Sequence, residues 1–162
     1  MLAEAPRRVE VGITPHTQRI KVQEENLGLN YVFQCSPLPE PGALRDVEAA
    51  VAHAATLVPG GKIGVVGFCW GGLMTWRSAC NLASVSAAVC YYGGGMTGEL
   101  EASRQALCPV LAHFGSKDHY ISLESVEAFK KAQPQAQVHV YDADHGFNCD
   151  QRGSYNEAAS AQ

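Results

Sequence analysis

A cysteine flanked by glycines is the part of the sequence that most clearly predicts chemistry. Residues 67–72 read Gly-Phe-Cys-Trp-Gly-Gly and stand between an apolar run and an amphipathic segment. In a sharp turn from a strand into a helix, this pattern exposes the central residue in a strained conformation, and larger flanking side chains would clash. Cys69 would then lie at a helix N-terminus, where the helix dipole and a nearby imidazole favour the thiolate. The backbone N–H of Trp70 would face an oxyanion formed beside it. A buried structural cysteine is the alternative interpretation, and the turn pattern argues against it.

An aspartate and a histidine that could activate this thiol follow two later apolar runs. Asp118 lies 49 residues after Cys69, and His145 lies 27 residues after Asp118. The order nucleophile, acid, histidine is one of the known chain orders of a catalytic triad. His145 could take the proton of Cys69 and return it to the leaving group, while Asp118 holds the imidazole tautomer and stabilises its cation.

Other polar residues compete for these roles. Asp142 and Asp144 are close to the histidine in sequence, but a carboxylate in such a turn is more often a turn former. His119 could line a pocket, or it could be a surface histidine. A metal site built from His113, His119 and Asp118 has a spacing that matches no common site, so we expect no bound metal. The remaining cysteines are expected to be core residues.

The spacing of apolar residues predicts the elements that position these side chains. Steps of three and four predict a helix over 42–58, and short apolar runs predict strands buried on both faces. Strands that alternate with helices imply a mainly parallel sheet of about four strands, with helices on both faces and the chemistry at the strands' C-terminal ends. The predicted strands are 63–68, 87–92, 110–114 and 138–141, and the further helices are about 70–82, 123–132 and one that begins near residue 151.

The first part of the chain predicts little structure. Residues 1–41 contain five prolines and one short apolar patch, so we expect them to be mostly irregular. The whole chain, 1–162, is expected to form a single domain, because its length is typical of one.

Composition excludes several classes of function. The chain has a net charge of −4 and no lysine–arginine cluster beyond pairs, so a nucleic-acid surface is not expected. It has no run of 18 apolar residues that would predict a membrane span. The N-terminal residues lack the apolar region of a secretory signal, which predicts a cytoplasmic protein with reduced thiols. The six cysteines form no C-x-x-C pair, which argues against a disulfide scaffold or a zinc ribbon.

Four segments together resemble the dienelactone hydrolases, a family of the α/β-hydrolase superfamily. The similarity covers about residues 42–157, and the cysteine in the turn is its most specific part, because most α/β-hydrolases have serine there. The segments are Gly67-Phe68-Cys69-Trp70-Gly71-Gly72, Tyr91-Tyr92-Gly93, Phe114-Gly115-Ser116-Lys117-Asp118-His119 and His145-Gly146-Phe147-Asn148.

This resemblance implies a partial α/β-hydrolase fold with a triad of Cys69, Asp118 and His145. The reaction would be hydrolysis of an enol-lactone or related small ester through an acyl-thioester, with no cofactor. The arginine that dienelactone-specific members place after the histidine has no direct match, because Cys149 holds that position. Arg152 is the nearest substitute for binding a substrate carboxylate.

The resemblance also implies that the family's first strands and most of its last helix are missing from this chain. The strand at 63–68 would then be an exposed edge that invites self-association. One alternative function is therefore a catalytically impaired fragment that acts as a binding or self-associating module. Another is a thiol redox or metal protein.

Overall fold

The computed structural model describes residues 8–14, 17–25, 30–33 and 40–162, with side chains from residue 42 onward. The described residues form one sheet of seven strands with helices between the later ones. The strands are β1 (Arg8–Thr14), β2 (Thr17–Glu25), β3 (Asn30–Phe33), β4 (Gly64–Phe68), β5 (Ala87–Tyr91), β6 (Val110–Gly115) and β7 (Gln137–Tyr141). The helices are α1 (Glu40–Leu57), α2 (Trp70–Asn81), α3 (Glu99–Ala102), α4 (Leu123–Ala132) and α5 (Glu157–Ser160).

The sheet is mainly parallel, as the alternation of strands and helices predicts. Its order is β2-β1-β3-β4-β5-β6-β7, and only the β1–β2 pair is antiparallel among the described strands. The four strands expected after residue 62 are confirmed, and so are the helices at 42–58, 70–82 and 123–132. The last described helix begins at Glu157 rather than near residue 151.

Three strands lie in the segment that was expected to be mostly irregular, so for its described residues that prediction was wrong. Val9, Val11 and Ile13 alternate with Arg8 and other non-apolar residues, which is the period of a strand. The prolines of this segment all fall outside the three strands.

The expected exposed edge at 63–68 is also wrong. β4 pairs in parallel with β3 on one side and with β5 on the other. Because both rows of its backbone groups face a neighbouring strand, β4 offers no free edge for pairing with another chain.

Buried apolar side chains pack the helices against the sheet. In α1, Val47, Val51 and Ala54 are at most 2 % exposed, which confirms the predicted apolar stripe. On the α2 side, Trp76 meets Phe129 of α4 edge to face, with ring centroids 5.1 Å apart. Such fully buried aromatic pairs add both apolar burial and a defined geometry.

The three residues predicted to act together follow the ends of three strands. Cys69, Asp118 and His145 follow β4, β6 and β7, which are parallel strands of one sheet. Their C-terminal ends therefore meet at one edge, where ligands bind in open α/β sheets. None of the helices in the described part of the chain has the length and apolar character needed to cross a membrane.

Candidate active site

The turn between β4 and α2 holds Cys69 in a backbone conformation that side chains rarely adopt. Its φ is 55° and its ψ is −122°. Strain of this kind costs on the order of 1–3 kcal/mol and persists only where the surroundings impose it. A Cβ on Gly67 would overlap the carbonyl group of Gly71 and the side chain of Thr75. This contact explains why the first glycine of the pattern is needed.

Backbone hydrogen bonds fix the strained turn to the next strand. The N–H of Cys69 donates to the carbonyl of Tyr91 at 3.0 Å, and its own carbonyl accepts from Gly72 at 3.0 Å and Gly94 at 3.3 Å. A Cβ on Gly72 would lie 2.8 Å from the Cα of Gly93, so α2 starts in direct backbone contact with the loop after β5. The backbone of Cys69 is thus held both by β5 with its following loop and by the first turn of α2.

The three predicted residues form a continuous hydrogen-bonded line. Nε2 of His145 lies 3.0 Å from Sγ of Cys69, and Nδ1 of the same ring lies 2.7 Å from Oδ2 of Asp118. The Asp118 side chain is fully buried, and 13 % of the His145 side chain is exposed. This arrangement can pass a proton from the thiol to the ring while the carboxylate holds the ring's tautomer.

The second carboxylate oxygen of Asp118 is occupied by the backbone. Oδ1 accepts the N–H of Tyr120 at 2.8 Å and that of Ile121 at 3.2 Å. These two bonds hold the carboxylate in one rotamer and leave Oδ2 for the imidazole. The ring is therefore oriented by a group that is itself fixed.

Two opposing effects act on the pKa of His145. Burial lowers it, whereas the hydrogen bonds to Cys69 and Asp118 and the charges of those groups raise it, and the net pKa lies above its ordinary value of 6.5. A ring that holds a proton more firmly than in water suits a group that must accept one from a thiol.

The competing acidic residues take other roles. Oδ1 of Asp144 accepts the backbone N–H of His145 at 2.6 Å, so this carboxylate shapes the turn. Asp142 forms a surface ion pair with Lys117 at 2.9 Å. The His119 side chain is 85 % exposed, and its Nε2 lies 3.9 Å from Asp144. His119 is therefore a surface residue near the turn before His145. In the described residues no cluster of three or more potential ligands could hold a metal ion.

Trp70 and Arg152 were predicted to bind an oxyanion and a substrate carboxylate, and the structure gives the position of each in the chain. Trp70 is the first residue of α2, so its N–H has no acceptor within the helix. The exposed Arg152 passes over the turn that contains His145, since a Cβ on Gly146 would lie 2.8 Å from Cδ of Arg152 and 3.1 Å from Nη1. The Arg152 guanidinium thus lies against the turn that follows His145.

Two tyrosines of the site had no predicted role. Tyr92 is 1 % exposed, has a φ of 37°, and its ring centroid lies 5.0 Å from that of His145. Burial, followed by the nearby Cys69, raises the pKa of its phenol. Tyr120 is 82 % exposed, yet its ring meets His145 edge to face at 5.2 Å. The position of Tyr92 directly after β5 is a signal that could have identified it, whereas nothing in the sequence around Tyr120 distinguishes it from a surface tyrosine.

Comparisons with known proteins all find members or relatives of one hydrolase family. The profile of the dienelactone hydrolase family matches residues 32–162. A carboxymethylenebutenolidase of Pseudomonas putida is 34 % identical over 121 residues, which cover 72 % of this chain and 51 % of the relative. A dienelactone hydrolase-like promiscuous phosphotriesterase from metagenomic libraries has a similar structure, with a TM-score of 0.63 and 27 % identity over 76 % of this chain and 57 % of that one. The chain spans about half the length of the curated relatives it matches.

Proposed function

Because the chain belongs to the dienelactone hydrolase family, we propose that it hydrolyses small esters or lactones with Cys69 as the nucleophile. The observation that carries this proposal is the line from Sγ of Cys69 through His145 to Asp118, at 3.0 and 2.7 Å. Family membership suggests the bond that is cleaved, and the geometry suggests which atoms cleave it.

The first half of the reaction forms an acyl-thioester. Nε2 of His145 takes the thiol proton as Sγ of Cys69 attacks the carbonyl carbon. The carbonyl oxygen becomes an oxyanion, which the N–H of Trp70 and the N-terminus of α2 stabilise. The C–O bond then breaks, and the alcohol or enol oxygen leaves with the proton that His145 returns to it.

The second half releases the acid. A water molecule gives one proton to His145 while its oxygen attacks the thioester carbon. The C–S bond breaks, the carboxylic acid leaves, and His145 returns its proton to Sγ, which restores the thiol and the neutral imidazole for the next cycle. Both halves use only the chain's own residues and water.

Charged and aromatic side chains near the triad support a substrate class for the proposal. Arg152 places a positive charge against the turn that follows His145, which suits an ester or lactone that also carries a carboxylate. His119 and the exposed ring of Tyr120 offer further contacts at the mouth. A dienelactone, which is an enol-lactone with a carboxylate, has this combination of groups.

The alternative of a catalytically impaired module rested on the strands expected to be missing and on an exposed strand at 63–68. Its self-associating form loses its reason, because that strand is paired on both sides. The cytoplasmic location and the absence of nucleic-acid or membrane partners stay predictions.

Removal of the thiol tests the proposal. We expect wild-type protein to turn over p-nitrophenyl acetate slowly and the Cys69→Ala variant to lose this turnover completely. Cys108→Ala is the matched control, because Cys108 is a partly buried free thiol on a loop that takes no part in the site. Turnover that persists unchanged in Cys69→Ala would refute the proposal.

A further inference from the structure

A second concave surface lies among the helices, at the far end of α2 from Cys69. It is a groove of about 480 Å³. Its wall contains apolar side chains at Leu44, Leu82 and Leu100 and cationic side chains at Arg45 and Arg104. Because α2 has 12 residues and a helix rises about 1.5 Å per residue, its two ends lie roughly 18 Å apart. The groove is therefore separate from the catalytic edge.

A buried carboxylate holds two of the arginines that line this groove. Oε1 of Glu101, a residue that is 4 % exposed, accepts from Nε and Nη2 of Arg77 at 2.9 and 2.6 Å. Its Oε2 forms an ion pair with Nε of Arg104 at 2.8 Å. One acid thus fixes two guanidinium groups that would otherwise repel each other and spread apart.

The loop that carries Arg104 is held as firmly. The side-chain amide of Gln133 donates to the carbonyls of Ala102 and Arg104, both at 2.7 Å. Trp76 donates its indole N–H to the carbonyl of Glu101 at 3.1 Å. A cation whose backbone and Nε are both fixed loses little entropy when it binds an anion through its remaining N–H groups.

The charges around the groove favour a ligand with a single negative charge. Among the described residues, Arg45, Arg77 and Arg104 line the groove with three positive charges. Glu48 on the wall and the buried Glu101, which pairs with Arg77 and Arg104, supply two negative charges. These described charges sum to one positive unit. A dianion would exceed this charge and be repelled by Glu48, whereas a carboxylate matches it.

The apolar side chains of the wall indicate that the rest of the ligand is apolar. Leu100 is 72 % exposed and stands beside the arginines, so a purely ionic ligand would leave it in water. We propose that this groove binds a small carboxylic acid with an apolar body, with its carboxylate on Arg45 and Arg104 and its hydrocarbon on the leucines. This binding does not depend on the hydrolase activity.

Titration by NMR tests this proposal on the intact chain. Hexanoate is the probe, with hexan-1-ol as its neutral counterpart and inorganic phosphate as a purely ionic one. We expect saturable hexanoate shifts at amides 44–48, 77–82 and 100–104, and the same shifts in Arg152→Gln, which would separate groove binding from binding at the catalytic edge. Hexan-1-ol and phosphate are expected to bind at least about tenfold more weakly, since each lacks one of the two interactions.

Two exposed groove residues serve as variants that should not disturb folding. Arg45→Gln is expected to weaken hexanoate binding about tenfold and Leu100→Ser about threefold, while Lys130→Gln, an exposed cation on α4, leaves binding unchanged. Equal affinity for phosphate or hexan-1-ol would overturn the proposal. So would shifts that do not saturate by ~10 mM, or binding that both groove variants leave intact.

Discussion

Replacement of Asp118 by asparagine removes one negative charge from the site and hardly changes its volume. The carboxylate has three partners: the N–H groups of Tyr120 and Ile121 on Oδ1, at 2.8 and 3.2 Å, and Nδ1 of His145 on Oδ2, at 2.7 Å. The side chain is fully buried. The variant therefore tests how the imidazole is oriented.

An asparagine can serve these partners well in only one of its two orientations. If its oxygen keeps the two backbone N–H groups, its NH₂ faces Nδ1 of His145 and donates to it, which forces the ring proton onto Nε2. The opposite orientation turns the NH₂ toward both backbone donors and leaves each without an acceptor, at roughly 1–3 kcal/mol apiece. We expect the first orientation. Nε2, which faces Sγ of Cys69 at 3.0 Å, would then carry a proton and could not accept another.

The predicted loss is large because both tautomer and charge are wrong. In a triad this change lowers kcat by about 10⁴, which corresponds to roughly 5 kcal/mol of transition-state stabilisation. The assay is single-turnover acylation by p-nitrophenyl acetate, with circular dichroism to show that the variant is folded. Asp142→Asn is the control: its exposed pair with Lys117 is a surface ion pair, so we expect less than about a twofold change. A folded Asp118→Asn variant that loses less than ~tenfold would refute this account of the ring's orientation.

Three further predictions concern the turn, the imidazole and the arginine. Gly67→Ala should lower the free energy of unfolding by roughly 2–3 kcal/mol, because its Cβ would overlap the backbone. Gly42→Ala is the control and should not lower it, because Gly42 lies on α1 with open space around it. Urea unfolding measures both. The raised pKa of His145 means that its stabilising charge is fully present below pH 6.5 and is lost as pH rises through the folded-state value. Urea unfolding against pH should therefore lose this dependence in His145→Gln. Arg152→Gln should raise KM about tenfold for esters that carry a carboxylate and leave kcat and the KM of neutral esters unchanged; equal effects on both ester types would count against its role.

Much of the candidate site could be predicted because its residues follow strands. The glycine pattern around Cys69 is a steric requirement, which the close approach of Gly67 to Gly71 shows directly. Asp118 and His145 come after apolar runs, and parallel strands deliver such positions to one edge. The sequence pattern was therefore enough to predict residues whose positions depend on local steric limits and on the order of the strands.

The parts that sequence did not reveal depend on contacts between distant residues. The contact of Tyr120 with His145 depends on the turn that Asp118 shapes through its hydrogen bond to the Tyr120 N–H. The buried ion-pair network of Glu101 joins residues from two helices and a loop, and no local sequence pattern predicts it. β1 was missed because prolines nearby outweighed its alternation of apolar residues.

Mass spectrometry of the protein quenched during turnover tests the central claim most directly. With p-nitrophenyl acetate as substrate, Cys69 is predicted to gain one acetyl group that hydroxylamine removes, as expected of a thioester. In His145→Gln both the acetylation of Cys69 and the loss of the acetyl group should slow, because the base for both halves of the reaction is gone. An unmodified Cys69 during steady turnover, or an acetyl group on a different residue, would contradict the assignment of the nucleophile.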